Sequence, residues 1–346
     1  MKLATYKDGS RDGQLVVVSR DLASAHYATH AAHHLRQALD DWNFIAPQLQ
    51  DLYAALNAER ARHAFPFDPR QCMAPLPRAG HWALAQAWEH GLESGPAADP
   101  GFRLGAGDGL CGPCDPLVLG AEQLEMDFGA GLAVVVGDLP QRASPAQALD
   151  GVRLVLLANA VQLHAGALSP VQRQPVTAFG PVAVTPDELG DAWAQGRLGL
   201  TLQTSWNGRR VGIADADEDM RWPFGELLAH LCATRPLRAG SIVGAGTVRQ
   251  RGVENGARRD WPKGYHAIAD KRAFEVQQDG QARTAFLRLG DSVRIEMKGN
   301  DGHSVFGAIE QEVVGLPASE PAGAVRPRAL PVAEAAPDGG DGTGLQ

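Results

Sequence analysis

Cysteine, aromatic side chains, surplus positive charge and long apolar runs are all scarce in this chain of 346 residues. Four cysteines are too few for a disulfide framework in a chain this long, and a reducing compartment would keep them as thiols. The formal charge is −8, with Lys and Arg scattered, so no basic stripe stands ready to neutralise phosphates and nucleic acid is not an expected partner. No apolar run approaches the roughly 18 residues that span a bilayer. The opening MKLATYKDGSRDG turns polar too early for a signal peptide, so the cytoplasm is the expected location and no membrane partner is expected. What the chain does have is apolar mass. At 44% hydrophobic residues it can bury a sizeable core, as one large domain or one large and one small.

Texture divides the sequence. Residues 2–19 read as a hairpin, two β-prone runs around a Gly- and Asp-rich turn. Residues 22–60 read as helical, with Leu35, Leu39 and Trp42 at helical spacing, an interruption at Pro47, and a second helix through Leu49, Leu52 and Leu56. From about residue 96 the chain changes to short Val- and Leu-rich strands separated by Gly, Pro and Asp, with helical or mixed exceptions at 146–165 and 223–234. The expected class is therefore α+β, mainly β. A small N-terminal domain is expected over 1–95, a larger one over 96–316, and a disordered tail over 317–346, where five prolines, five glycines and seven alanines offer little to offset the cost of ordering.

Several short motifs invite a function and fail on context. Cys111-Gly-Pro-Cys114 is spelled like a thioredoxin redox pair, whose first thiol needs a helix N-terminus to lower its pKa. Asp115-Pro116 and the strand-like Leu-Val-Leu follow at once, so a turn with two incidental thiols is the expectation. Asp127-Phe128-Gly129 matches a kinase triplet without the other kinase motifs. His26, His30, His33 and His34 fall at helical spacing and could share one face, yet no carboxylate or cysteine completes a metal set, so a solvated helix face is expected. Gly244-Ala-Gly246-Thr247 lacks the Lys and the following helix of a phosphate loop.

Longer blocks carry more. CMAPLPRAGHW (72–82), GPCDPLVL (112–119), MDFGAGLAVVVGDLP (126–140), PVTAFGPVAVTPDELGDAW (175–193), TSWNGRRVG (204–212), LRAGSIVGAGTV (237–248), GDSVRIEM (290–297) and FGAIEQEV (306–313), in this order, resemble the fumarylacetoacetate hydrolase family, in particular its bacterial members with an N-terminal extension. The resemblance implies a rolled, mixed β-sandwich of the fumarylacetoacetase type beside a small N-terminal domain. It also implies magnesium- or manganese-assisted chemistry next to a carbonyl of acylpyruvates and related oxo acids, and, as is usual in the family, a homodimer.

The same resemblance locates what is missing. The family's Glu-x-Glu pair falls on Gly129 and Gly131, its later Asp falls on Ala160 after Asn159, and its lysine falls on Gln174. Without three carboxylates a reluctantly dehydrated magnesium ion loses most of what holds it, so no metal cofactor is expected. Flanking Asp127, Phe128, Leu132 and Val134 keep the family pattern, which implies that the scaffold stayed while the side chains were lost and predicts that Glu at 129 and 131 and Asp at 160 would restore metal affinity; the alternative is that the glycines serve a bulge or tight strand entrance, where their backbone freedom is favoured. Gly246 and Thr247 match the family's substrate-side Gly-Thr, and Asp108 matches an aspartate in the corresponding loop of related bacterial sequences; with Gln174 they are the candidate ligand residues, and no nucleophile or base with an oriented partner is evident. Two readings follow: a fumarylacetoacetase-like C–C bond hydrolase with lost or altered chemistry that binds a small oxo acid, or a pseudoenzyme serving as a binding or scaffolding subunit, with an active paralogue as its companion.

Overall fold

The opening strands of the chain are not set apart from the body. Lys2–Tyr6 pairs antiparallel with Gln14–Val18 on one side, as the hairpin reading requires, and with Ala183–Val184 on the other, Lys2 opposite Val184 and Leu3 opposite Ala183. The computed structural model describes residues 1–88, 99–250, 253–255, 258–261 and 263–316. The domain boundary expected near residue 95 and the tail beyond residue 316 lie outside them. Met1–Gly315 forms one compact unit.

Three layers build this unit. The middle layer is a 12-stranded mixed sheet whose centre is Ala130–Val136, flanked by Val152–Ala160 and Ser241–Thr247. Ala130–Val136 is buried along its whole length and reads as a continuous apolar run because both its faces are covered. Leu132, Val134 and Val136 point to one core, where Leu202, Val293, Ile295 and Ile309 of a second, five-stranded sheet meet them. Ala133 and Val135 point to the other core, against Leu35, Leu39, Leu49 and Tyr53 of the helices Leu35–Asp40 and Trp42–Asn57. Side chains alternate across a strand, so one strand serves both cores. Mainly β architecture with few helices is thus as expected.

Residues 22–60 depart from the helical reading. Ser24–Tyr27 is a strand paired with Gln14–Val18, so His26, His30, His33 and His34 do not share a helix face. The His26 ring nitrogens lie 2.7 Å from the carbonyls of Tyr27 and Arg62, and His34 stands at the N-cap of Leu35–Asp40. Periodicity in four histidines could not reveal that a sheet edge would take up the first of them. Pro47 also fails to interrupt the second helix, which runs Trp42–Asn57. The carbonyl it leaves without a donor is that of Asn43, and both residues lie on the solvent side, where water can satisfy it.

Candidate functional site

The central strand enters the sheet at Asp127-Phe128-Gly129, and this mouth is held by polar groups that are almost wholly buried. Asn159 accepts a hydrogen bond from the Gly129 N–H (3.0 Å) and donates to Gln311 (3.0 Å), which in turn donates to the carbonyl of Asp115 (2.8 Å). Asp127 accepts from the backbone N–H groups of Ile268 (2.7 Å) and Ala269 (2.8 Å), which open the helix Ile268–Asp279. His164 Nε2 lies 3.3 Å from the second Asp127 oxygen, at ion-pair distance but without the alignment of a hydrogen bond. Burial pushes the Asp127 carboxyl above the usual carboxylate range, while His164 and the two N–H groups draw it back.

The positions that the resemblance assigns to metal ligands do not open onto a site. A Cβ on Gly131 would stand 2.0 Å from the carbonyl oxygen of Gly246, and one on Gly129 would stand 2.6 Å from that of Ala160 and 3.0 Å from Thr247 Oγ1. Both obstacles at the shortest distances are backbone. The neighbouring strand Ser241–Thr247 carries a bulge here, since Leu132 faces Gly246 while Ala133 faces Gly244, and Gly246 takes φ +98°. The expectation that the scaffold stayed while side chains were lost is therefore corrected at Gly129 and Gly131, where the main chain has closed into the space a glutamate would need. The residues present do not fit a divalent cation: 129, 131 and 160 offer no oxygen from a side chain, and among the described residues no group of three or more His, Cys, Asp or Glu is placed to hold one.

Beside this closed mouth is a cavity of about 320 Å³. Of the four candidate ligand residues, Gly246, Thr247 and Gln174 line it, whereas Asp108 is exposed and is not in its wall. The buried Gln174 donates from Nε2 to Thr177 Oγ1 (3.4 Å), and its Oε1 has no partner. The rest of the wall was not anticipated: Arg103, Arg173, Arg249 and His164 bring cationic or cation-capable groups from four separate segments. Arg249 pairs with Asp270 at 2.8 Å, and Arg173 donates to the carbonyl of Leu168 (3.2 Å). Arg103 has no acidic partner among the described residues, and burial, then the charge of Arg249, press its pKa below the ordinary guanidinium value. A guanidinium keeps its proton regardless, so an entering anion would relieve that strain. No single stretch of sequence could have signalled this, because Arg103 and Arg249 are far apart in the chain and meet only through the sheet.

Residues 80–314 match the family model described as fumarylacetoacetate (FAA) hydrolase C-terminal, and residues 1–78 match fumarylacetoacetase N-terminal domain 2. The chain belongs to the fumarylacetoacetate hydrolase family. Solved members of similar fold include a maleylpyruvate hydrolase from Sphingobium sp. SYK-6 in complex with manganese(II) ion and pyruvate, with 18% identity, TM-score 0.64, and 92% of this chain and 100% of that one covered. A probable 2-hydroxyhepta-2,4-diene-1,7-dioate isomerase from Mycobacterium abscessus has 20% identity, TM-score 0.63 and the same coverage. A fumarylacetoacetate hydrolase from psychrophilic Exiguobacterium antarcticum has 17% identity and TM-score 0.61, with 91% of this chain and 100% of that one covered. At such identities the likeness is one of fold. Among curated proteins none matches this sequence.

The thiols of Cys111 and Cys114 are both raised in pKa, first by burial and then by Asp115, Cys111 to about 12. Cys111 ends a short strand, Leu110–Cys111, and no α-helix begins at Cys114, so the helix N-terminus that a redox pair uses to stabilise its thiolate is missing here, and burial outweighs the help of Gln311 and Lys7.

Proposed function

We propose that this family member binds a small 2-oxo acid anion in the cavity walled by Arg103, Arg173, Arg249 and Thr247, and that it does so without the divalent cation found with pyruvate in the Sphingobium hydrolase. The observation that carries this reading is Arg103, which lines the cavity with Arg173 and Arg249 and has no carboxylate partner among the described residues. Three guanidinium groups take the place, as the source of positive charge, of a divalent metal; the anion then needs no chelated ion to hold it. Thr247 and the partnerless Gln174 oxygen supply a hydroxyl and an acceptor for the remainder of such a ligand. Chemistry on that ligand is thereby separated from the family's metal-assisted C–C hydrolysis.

The second reading, a binding subunit without turnover, is favoured by the backbone closure at Gly129 and Gly131. Calorimetry with pyruvate in the presence of a chelator tests the shared premise. Binding is expected without metal, and Arg103→Gln is expected to weaken it about tenfold or more, the worth of a hydrogen bond to a charged group. Stoichiometric micromolar manganese binding by the purified chain, or pyruvate binding that appears only after metal is added, would overturn the metal-free reading.

A further inference from the structure

The pairing of two short strands puts an imidazole into the cavity wall with a carboxylate behind it. Gln162–Leu163 runs antiparallel to Met126–Asp127, Gln162 opposite Asp127, and His164 follows directly. His164 lines the cavity with Gln162 and Leu163. Its Nε2 faces Asp127 at 3.3 Å without the alignment of a hydrogen bond, and its Nδ1 has no hydrogen-bond partner among the described residues. The ring is held in plane by stacking on Phe286, with centroids 5.0 Å apart and planes at 14°, and Arg272 lies over the same phenyl ring at 4.5 Å. Asp127 is itself fixed by the N–H groups of Ile268 and Ala269, so it cannot turn away from the imidazole without uncapping a 12-residue helix. An imidazole with one nitrogen on an anchored carboxylate and the other without a protein partner has the arrangement of a general base, and such contacts are commonly long before a ligand enters.

We propose that His164 is the base that removes a proton from the carbon next to the carbonyl of the bound 2-oxo acid, with Asp127 as the residue that positions it. The inference rests on the oxo-acid reading above. The step balances within the site. The C3–H bond breaks and its proton goes to His164 Nδ1; the bonding pair becomes the C2–C3 double bond, and the carbonyl π pair moves onto oxygen as an enolate facing the arginines of the wall. Returning the proton from His164 to C3 restores the ketone, and returning it to oxygen gives the enol, so no oxidant, reductant or further reactant is consumed.

Deuterium exchange reads this step without assuming a product. The full chain in D2O with chelator is given pyruvate or 2-oxobutyrate, and loss of the C3 proton signal is followed by NMR while calorimetry reports binding on the same preparations. Exchange is expected in the unmodified chain, about 100-fold slower in His164→Gln with pyruvate affinity held within threefold. Its pH profile should contain an ionisation that the variant lacks, and added imidazole should recover part of the rate in His164→Gly. Asp127→Asn should slow exchange and alter the profile; because it also disturbs a helix cap, the His164 variants carry the decision. Binding without exchange, or exchange at the same rate in His164→Gln, overturns the base assignment alone. Absence of binding by either oxo acid overturns the oxo-acid reading, and this inference with it.

Discussion

At Gly131 a single hydrogen atom decides what the site can be. A methyl group there would have to displace the Gly246 carbonyl, which stands 2.0 Å from the ideal Cβ and belongs to a hydrogen-bonded strand. Gly131→Ala is therefore expected to lower stability by about 1–3 kcal/mol, the range of overpacking in a tight core. Gly166→Ala, where nothing lies within 4 Å, should leave it within about 0.5 kcal/mol. Urea midpoints of the two variants check the contrast, and equal midpoints would mean that the strands part easily. Glutamates at 129 and 131 with aspartate at 160 would for the same reason open the sheet before they could rebuild a metal shell. That positions 129, 131 and 160 carry no carboxylate was legible from the residues alone. That backbone stands where a Cβ at 129 or 131 would need to be was not, since at 131 it depends on a bulge in a strand more than a hundred positions away.

Among the elements, the helix Ile268–Asp279 owes its seat to two carboxylates. Asp127 receives its first N–H groups, and Glu275 ties its far end to the following segment through Arg283 N–H (2.7 Å), Thr284 N–H (2.9 Å) and Thr284 Oγ1 (2.6 Å). Burial alone would raise Glu275, but these hydrogen bonds, with Lys271 nearby, outweigh it and draw the carboxyl to about 2. Its folded value lies below the ordinary 4.5, so its contribution to stability is complete above that pH and is lost as pH falls from about 4.5 toward 2. Glu275→Gln is expected to cost about 1–3 kcal/mol at pH 7 and to flatten the acid limb of a melting-temperature profile over that window. An unchanged limb would show that other carboxylates govern it. Periodicity placed Leu49, Leu52 and Leu56 on a helix, which the structure begins at Trp42 and carries through Pro47, and placed one near 223–234; it could not foresee the strand Ser24–Tyr27, whose residues gain their place by pairing with Gln14–Val18 and Phe65–Pro66.

Across the whole molecule, the two family models meet between residues 78 and 80, but the sheet does not stop there. Lys2–Tyr6 is bonded to Ala183–Val184, and Leu3, Leu15 and Val17 share a core with Ala133, Val135 and Leu156. Starting the chain at residue 80 would bare that core and an unpaired strand edge, so the fragment is expected to aggregate or to lack a cooperative thermal transition. Removing 317–346, by contrast, should leave the melting temperature within about a degree, because that segment's composition cannot supply burial to match its ordering cost. Calorimetry of the two truncations separates these expectations, and a monomeric, cooperatively melting 80–316 fragment would show that the N-terminal strands are an accessory.

The residues by themselves determined the family, the mainly β class and the hairpin at the start. Each of these is written in local pattern: alternation, turn residues, and blocks whose order along the chain is their information. Tertiary structure alone decided that Gly246, Thr247 and Gln174 face one cavity while Asp108 does not, and that Arg103, Arg173, Arg249 and His164 join them. It also decided that Asp127 stands behind His164. Charge and proton transfer act through space over a few ångströms, whereas Arg103, the 162–174 segment and the 246–249 segment are separated by tens to more than a hundred residues of chain, so only the closing of the sheet could bring them into one wall.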